Sequence, residues 1–264
     1  MLYYTVQGQG PSVVLLHGWG LNRHVWSNFA GSLAAQFRTL SVDLPGYGRS
    51  PSIKPYDLVS VANAVASIVA DESENPSGQV AVVGWSLGGL VAMQLAMRHP
   101  KKVTALITMA CCAQFVVTPT WPYGVANDVL DQFGEDLCKD HRGTVLRFLA
   151  IQSLGSEHAR KEIKALKQDL FCDGEPDTDA LLAGLQILQG SRLQPQLCDI
   201  KCPTLMIVGS KDSLVNAEAC YLTAAAIPHC ETYTLADAGH APFLSHPKQV
   251  EQRIVSFLCD ENEN

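Results

Sequence analysis

The 264-residue sequence lacks any run of about eighteen apolar residues, so no membrane-spanning helix is expected. The opening MLYYTVQGQGPS lacks a basic region followed by an apolar stretch, so no export signal is expected either. Positive charge is in short supply: 19 Lys and Arg stand against 26 Asp and Glu, a formal net charge of −7. That balance disfavours duplex nucleic acid as a partner, because phosphate contacts need clustered basic groups. The nine cysteines are odd in number and irregularly spaced, which gives no disulfide framework. Reduced thiols in a cytoplasm are expected instead. Cys198 and Cys202 have neither a second pair nor a nearby histidine to complete a zinc set, so no metal is expected. No cofactor is expected, and the chain is taken as a monomer.

What the sequence does contain is an ordinary globular composition, 47% hydrophobic and 17% charged, enough for a sizeable core. Short β-branched runs recur with helical stretches between them. Residues 13–16, 39–42, 80–83, 103–109, 204–208 and 232–235 read as strands, with 3–6 as a further edge strand. Residues 57–70, 87–98, 214–226 and 247–258 read as helices. This alternation predicts an α/β fold with a mostly parallel sheet and helices on both faces. It lapses between 113 and 189, where 128–140, 143–154, 157–170 and 178–188 read as helices. The expected division is a core over 1–112 and 190–264 with a helical lid inserted at 113–189.

Ser86 stands in Gly84-Trp-Ser-Leu-Gly88, after an apolar strand and before a helical run. G-x-S-x-G in that context predicts a strained strand-to-helix turn that exposes a serine hydroxyl, with glycines relieving the crowding. The helix N-terminus then offers free N–H groups to a developing oxyanion. A serine needs a base. Of eight histidines, His240 has the favoured position, between the last strand and the last helix. His246, His99 and His229 read as capping, dipole or solvated residues, and His24, His141 and His158 as surface or lid residues. The base in turn needs a carboxylate to orient it. Asp212 follows a predicted strand. Asp237 is a rival only three residues from His240, and Asp199 precedes its strand, at the opposite edge of the sheet. Ser86, Asp212 and His240 are therefore the expected triad. Leu87 N–H is one expected oxyanion donor. Trp19 N–H, in His17-Gly-Trp-Gly20 after an early strand, is the second, with His17 a buried support. Asp43 to Ser50 reads as a structural turn.

HGWG, DLPGYGRS, GWSLGG and the late Asp and His resemble the α/β-hydrolase family in content and order. LLHGWGLNRHVW, VDLPGYGRS, GWSLGGLVA, RFLAIQSLG, AGLQIL and AGHAPFLSHP resemble, more narrowly, the pimeloyl-acyl-carrier-protein methyl ester esterases of biotin synthesis. This likeness includes the lid, where hydrolases generally diverge. It implies cleavage of a methyl ester from a pimeloyl chain on acyl carrier protein. It implies substrate contacts at Trp19, Ser86, Leu87, Phe148, Leu149, Ala150, Ile151, Gln152 and His240, with Asp212 completing the triad.

Between Arg142 and Gln168 stand six basic residues against Glu157 and Glu162. Arg160, Lys164 and Lys167 fall on one helical face. With the resemblance, Arg142, Arg147, Arg160 and Lys164 read as docking residues for the acidic carrier. The family's first basic position in RTVxRF is Gly143 here. Two other functions fit the same residues: a carboxylesterase for short esters without a carrier, and a ligand receptor on a hydrolase fold with an idle triad.

Overall fold

In the computed structural model, described over residues 1–71, 78–152, 159–168 and 170–260, seven strands form one sheet. They are β1 (Tyr4–Gln7), β2 (Ser12–Leu16), β3 (Arg38–Val42), β4 (Val80–Trp85), β5 (Val103–Met109), β6 (Thr204–Gly209) and β7 (Cys230–Leu235). The spatial order is β1-β3-β2-β4-β5-β6-β7. β1 runs antiparallel to β3, and every other pairing is parallel. Every residue of β2, β4 and β6 is buried. Successive side chains point to opposite faces, so burial of all of them means the central sheet is covered on both sides.

The connecting helices are α1 (Ser27–Leu33), α2 (Leu58–Asp71), α3 (Leu87–Arg98), α4 (Asn127–Lys139), α5 (His141–Gln152), α6 (Ala159–Gln168), α7 (Thr178–Gly190), α8 (Ala217–Ala225), α9 (Pro242–Ser245) and α10 (Pro247–Asp260). α3 packs on β4, β5 and α2, and α1 packs on β3 and α10. Helices α4 to α7 lie between β5 and β6, where the alternation of the sequence lapses. The chain then returns to the same sheet. The expected start of a helix at 157, the expected end of one at 154, and His158 lie outside the described residues.

Three helices differ from expectation, among them the single turn α9, which the sequence pattern does not predict. α1, with the short 3₁₀ turn Arg23–Trp26 before it, was not anticipated. Its sequence, SNFAGSL, is short and glycine-containing, with little helical propensity. It is held by burial of Phe29, Ala30 and Leu33. The helix expected from Leu214 begins only at Ala217, because Asn216 caps it through Oδ1, which accepts from Glu218 N–H at 2.8 Å. The fold thus brings the loops after β2, β4, β6 and β7 to the carboxyl ends of the strands. Among the described residues, no helix is long and apolar enough to cross a membrane.

Candidate active site

The turn after β4 places Ser86 at φ 55°, ψ −118°, a conformation that non-glycine residues rarely adopt. The surroundings enforce it. A Cβ on Gly84 would lie 2.3 Å from Gly88 O, and one on Gly88 would lie 2.3 Å from Leu16 O. Glycine is therefore required at both motif positions, because α3 begins against the backbone of β4 and β2. Ser86 N–H donates to Met109 O at 3.0 Å, and Ser86 O accepts from Gly89 N–H at 2.8 Å, which pins the turn from both sides.

His240 is buried after β7. Its Nδ1 lies 2.8 Å from Asp212 Oδ2, and both side chains are almost fully enclosed. Asp212 Oδ1 accepts from the Leu214 and Val215 N–H groups at 2.9 and 3.0 Å, which fixes the carboxylate plane. A carboxylate facing Nδ1 requires the proton there, which leaves a lone pair on Nε2. His240 Nε2 is buried and has no hydrogen-bond partner among the described residues. Trp85 supports the ring, donating from Nε1 to His240 O at 2.7 Å. The rival Asp237 is exposed, with φ 61°, and its N–H donates to Ser210 Oγ. Asp199 is exposed at the other end of β6.

The loop after β2 runs alongside. His17 Nε2 accepts from Leu44 N–H at 3.0 Å and Nδ1 donates to Gly18 O at 2.8 Å, so the ring is neutral. Burial pushes its pKa down, which holds that state. Trp19 is fully buried. Its Nε1 donates to Leu181 O at 2.8 Å and its ring meets Phe148 edge-on at 4.7 Å. Among the described residues, no acceptor engages the backbone N–H of Trp19 or of Leu87.

Ser86 and His240 open into one apolar cavity of about 40 Å³, with Phe115, Phe133, Phe148 and Leu214 among its walls. That volume holds only a few waters. Of the run 148–152, only Phe148 and Ile151 line the cavity. Leu149 is buried in the core, and Gln152 is fully buried with no hydrogen-bond partner for either amide atom among the described residues. Ala150 is exposed, which corrects the expectation that the whole run faces substrate. A helix turns about 100° per residue, so 148 and 151 share a face and 150 points away from it. The α4 contribution, Val129, Leu130 and Phe133, was not anticipated. Its helical spacing was readable, but spacing does not separate a cavity wall from ordinary core.

The basic residues of the insert are dispersed. Arg147 is paired with Asp136 at 2.9 Å, and Arg142 stacks over Phe171 and lies 3.8 Å from Glu175. Arg160 and Lys164 are exposed on α6 and have no ion pair among the described residues. Position 143 is glycine beside a cap: Gly143 N–H donates to Asp140 Oδ1 at 2.9 Å, and a Cβ there would meet that carboxylate.

His24, Cys172 and Asp173 bring potential ligand atoms within 4.8 Å of one another. Asp173 is already committed to cations, however, accepting from Arg23 Nη1 at 2.5 Å and Arg49 Nε at 2.8 Å. Two guanidinium groups at that distance oppose a metal ion. Burial alone would push the Asp173 carboxyl up, but hydrogen bonds from Arg23, His24 and Arg49 outweigh it and hold it down to about 2. This folded value lies below the ordinary 3.8, so the ionised form favours folding. The contribution is complete above about pH 5 and is lost as pH falls towards about 2. Urea unfolding of wild type and Asp173→Asn should therefore show a stability difference that is constant from neutral pH to about pH 5 and closes in stronger acid.

Taken together, a serine on a strained strand-to-helix turn and a carboxylate-oriented histidine, at the carboxyl ends of a mostly parallel sheet, define a hydrolase of the α/β type. A sequence model of the alpha/beta hydrolase fold matches residues 11–247, and the chain belongs to that family. It is 42% identical over 253 residues to the pimeloyl-[acyl-carrier protein] methyl ester esterase of Aeromonas hydrophila, covering 95% of this chain and 96% of that one. It is 39% identical over 263 residues to the enzyme of the same name from Xanthomonas campestris, covering 98% and 99%. Among solved structures it resembles the esterase EaEST of Exiguobacterium antarcticum, with a TM-score of 0.87, 25% identity and coverage of 97% and 94%.

Proposed function

We propose that the protein hydrolyses the methyl ester of a pimeloyl chain carried on acyl carrier protein, a reaction that serves biotin synthesis and releases methanol. The observation that carries this reading is the His240–Asp212 pair, whose Nε2, unpartnered among the described residues, shares a cavity with Ser86 in a chain similar over 95% of its length to a carrier-protein esterase. In this reading His240 Nε2 takes the Ser86 proton as Oγ attacks the ester carbonyl. The Leu87 and Trp19 N–H groups hold the oxyanion, and the positive end of α3 adds to them. Methanol leaves with the proton from His240. A water that gives its proton to the same nitrogen then attacks the acyl-serine; the C–Oγ bond breaks, Ser86 Oγ takes that proton back from His240, and the acid is freed. Asp212 stays ionised and stabilises the imidazolium.

Residues 113–189 act as the lid over this site. The cavity of about 40 Å³ is too small for an acyl chain, so its wall must yield. Val129, Phe133 and Ile151 separate it from an outer groove of about 470 Å³ between α4 and α5. Side-chain rotation there would join the two spaces and admit the chain.

The carrier would meet the lid's basic surface. Arg160 and Lys164 are the better docking candidates, since Arg147 and Arg142 already have acidic neighbours. The direct test offers the purified protein carrier-linked pimeloyl methyl ester and measures methanol. Release is expected from wild type. Arg160→Glu with Lys164→Glu should lower kcat/KM for that substrate roughly tenfold at low salt while sparing pimeloyl dimethyl ester. Equal losses on both substrates would reject docking at this face. Turnover of short esters alone would point to a carrier-independent carboxylesterase.

A further inference from the structure

The loop that carries Trp19 is fastened to the helical insert at successive points. Trp19 Nε1 donates to Leu181 O at 2.8 Å, and Asn22 Nδ2 donates to Leu170 O at 3.1 Å. Arg23 and His24 then reach Asp173, at 2.5 and 2.8 Å. Arg49, from the turn after β3, supplies a third donor to Asp173 at 2.8 Å. The Asp173 side chain is only 5% exposed and that of Arg23 4%. The Tyr3 ring lies under both guanidinium groups, 4.6 Å from that of Arg23 and 5.1 Å from that of Arg49.

Arg23 is held from two sides. Its other carboxylate, the fully buried Asp43, lies 2.6 Å from Nη1. The two acids differ in what they serve. Asp43 accepts the backbone N–H groups of Arg23 and Arg49, so it holds the loop after β2 against the turn after β3 from within the core. Asp173 accepts from three side chains of the core, so its bonds join the insert to the loop after β2. Both buried carboxylates meet the same nitrogen, Nη1, and together they fix where the guanidinium sits. Its own backbone, and the segment from Trp19 onward, are fixed with it.

We propose that Asp173 is a positioning residue for acyl transfer: by gripping Arg23 from the insert, it sets the 19–24 segment and so aims the Trp19 N–H at the oxyanion. The inference rests on the serine mechanism above, with Trp19 N–H as an oxyanion donor. Such a donor acts only when it stands close to where the charge develops, and a small displacement forfeits much of its effect. Asp173→Asn keeps the side-chain volume but leaves Arg23 a single carboxylate, which frees the segment on one side.

The test compares wild type, Asp173→Asn and Arg49→Ala well below their melting temperatures. Arg49 is half exposed, so its variant keeps the fold and carries the test if Asp173→Asn does not fold. Each is assayed for ester turnover and for binding of an alkyl trifluoromethyl ketone, whose serine adduct places an oxyanion in the hole. The alcohol of the same chain, which presents no oxyanion, is the comparison ligand. In Asp173→Asn, kcat should fall about tenfold with KM nearly unchanged, and ketone affinity should fall by a similar factor while alcohol affinity holds. Arg49→Ala should move the same way by less. A folded Asp173→Asn with wild-type kcat, or one that loses ketone and alcohol affinity equally, overturns the positioning role and leaves the serine mechanism standing. Failure of wild type to bind the ketone in a Ser86-dependent way overturns both.

Discussion

Replacing Ser86 with alanine should lower kcat for ester cleavage by about six orders of magnitude and leave the fold intact. The size follows from the division of labour in the site. Without the hydroxyl there is no acyl-serine, and His240 has no proton to accept from a positioned nucleophile. Oxyanion donors and substrate binding alone retain roughly 10³-fold catalysis over water. The fold should survive because the hydroxyl is tied to no neighbour among the described residues, and alanine carries the same Cβ into the same strained backbone. Thermal unfolding and a fluorophosphonate label, run on both proteins, check the two halves of the expectation. Wild type should label at Ser86 and Ser86→Ala should not. A folded wild type that refuses the label would favour a receptor with an idle triad. An Ser86→Ala protein that still cleaves ester would remove the serine from the mechanism.

The second large effect is expected at Asp212. Asp212→Asn should lower kcat by about four orders of magnitude with little change in KM. The reason is a tautomer. The carboxylate accepts from Nδ1 at 2.8 Å, which keeps Nε2 free to take a proton. An asparagine amide turned towards the ring donates instead, and the ring proton moves to Nε2, where it cannot accept from serine. Two backbone N–H groups at 2.9 and 3.0 Å from Oδ1 bias the asparagine carbonyl to that side and the amide to the histidine. Asp237→Asn is the control. Asp237 is exposed in the left-handed region, which asparagine tolerates, so activity and stability should be unchanged. If Asp237→Asn proved the damaging change, the assignment of the orienting carboxylate would be wrong.

Much of this arrangement was readable from spacing. The strands over 103–109 and the helix over 87–98 stand at the expected residues, because β-branched runs and an apolar helical run carry their own periodicity. The turn between β4 and α3 was readable for another reason. Gly84 must be small because a Cβ there would strike Gly88 O, a local clash, whereas the clash that requires Gly88, with Leu16 O of β2, is made only by the sheet. The short helix α1 was not readable, since packing rather than propensity makes it. The likeness across 148–152 points Ala150 at the substrate along with its neighbours, whereas the helix turns its side chain outward.

The sequence by itself determined the α/β alternation, the run of helices between β5 and β6, and the kinked backbone at Ser86. Each of these follows from residues a few positions apart, where bond geometry and periodicity decide the outcome. Only the tertiary structure decided which carboxylate meets His240, which insert side chains wall the cavity, and that Asp173 grips Arg23. Those pairings join residues 28 to 150 positions apart, and their geometry depends on how the sheet orders its strands and brings their carboxyl ends together.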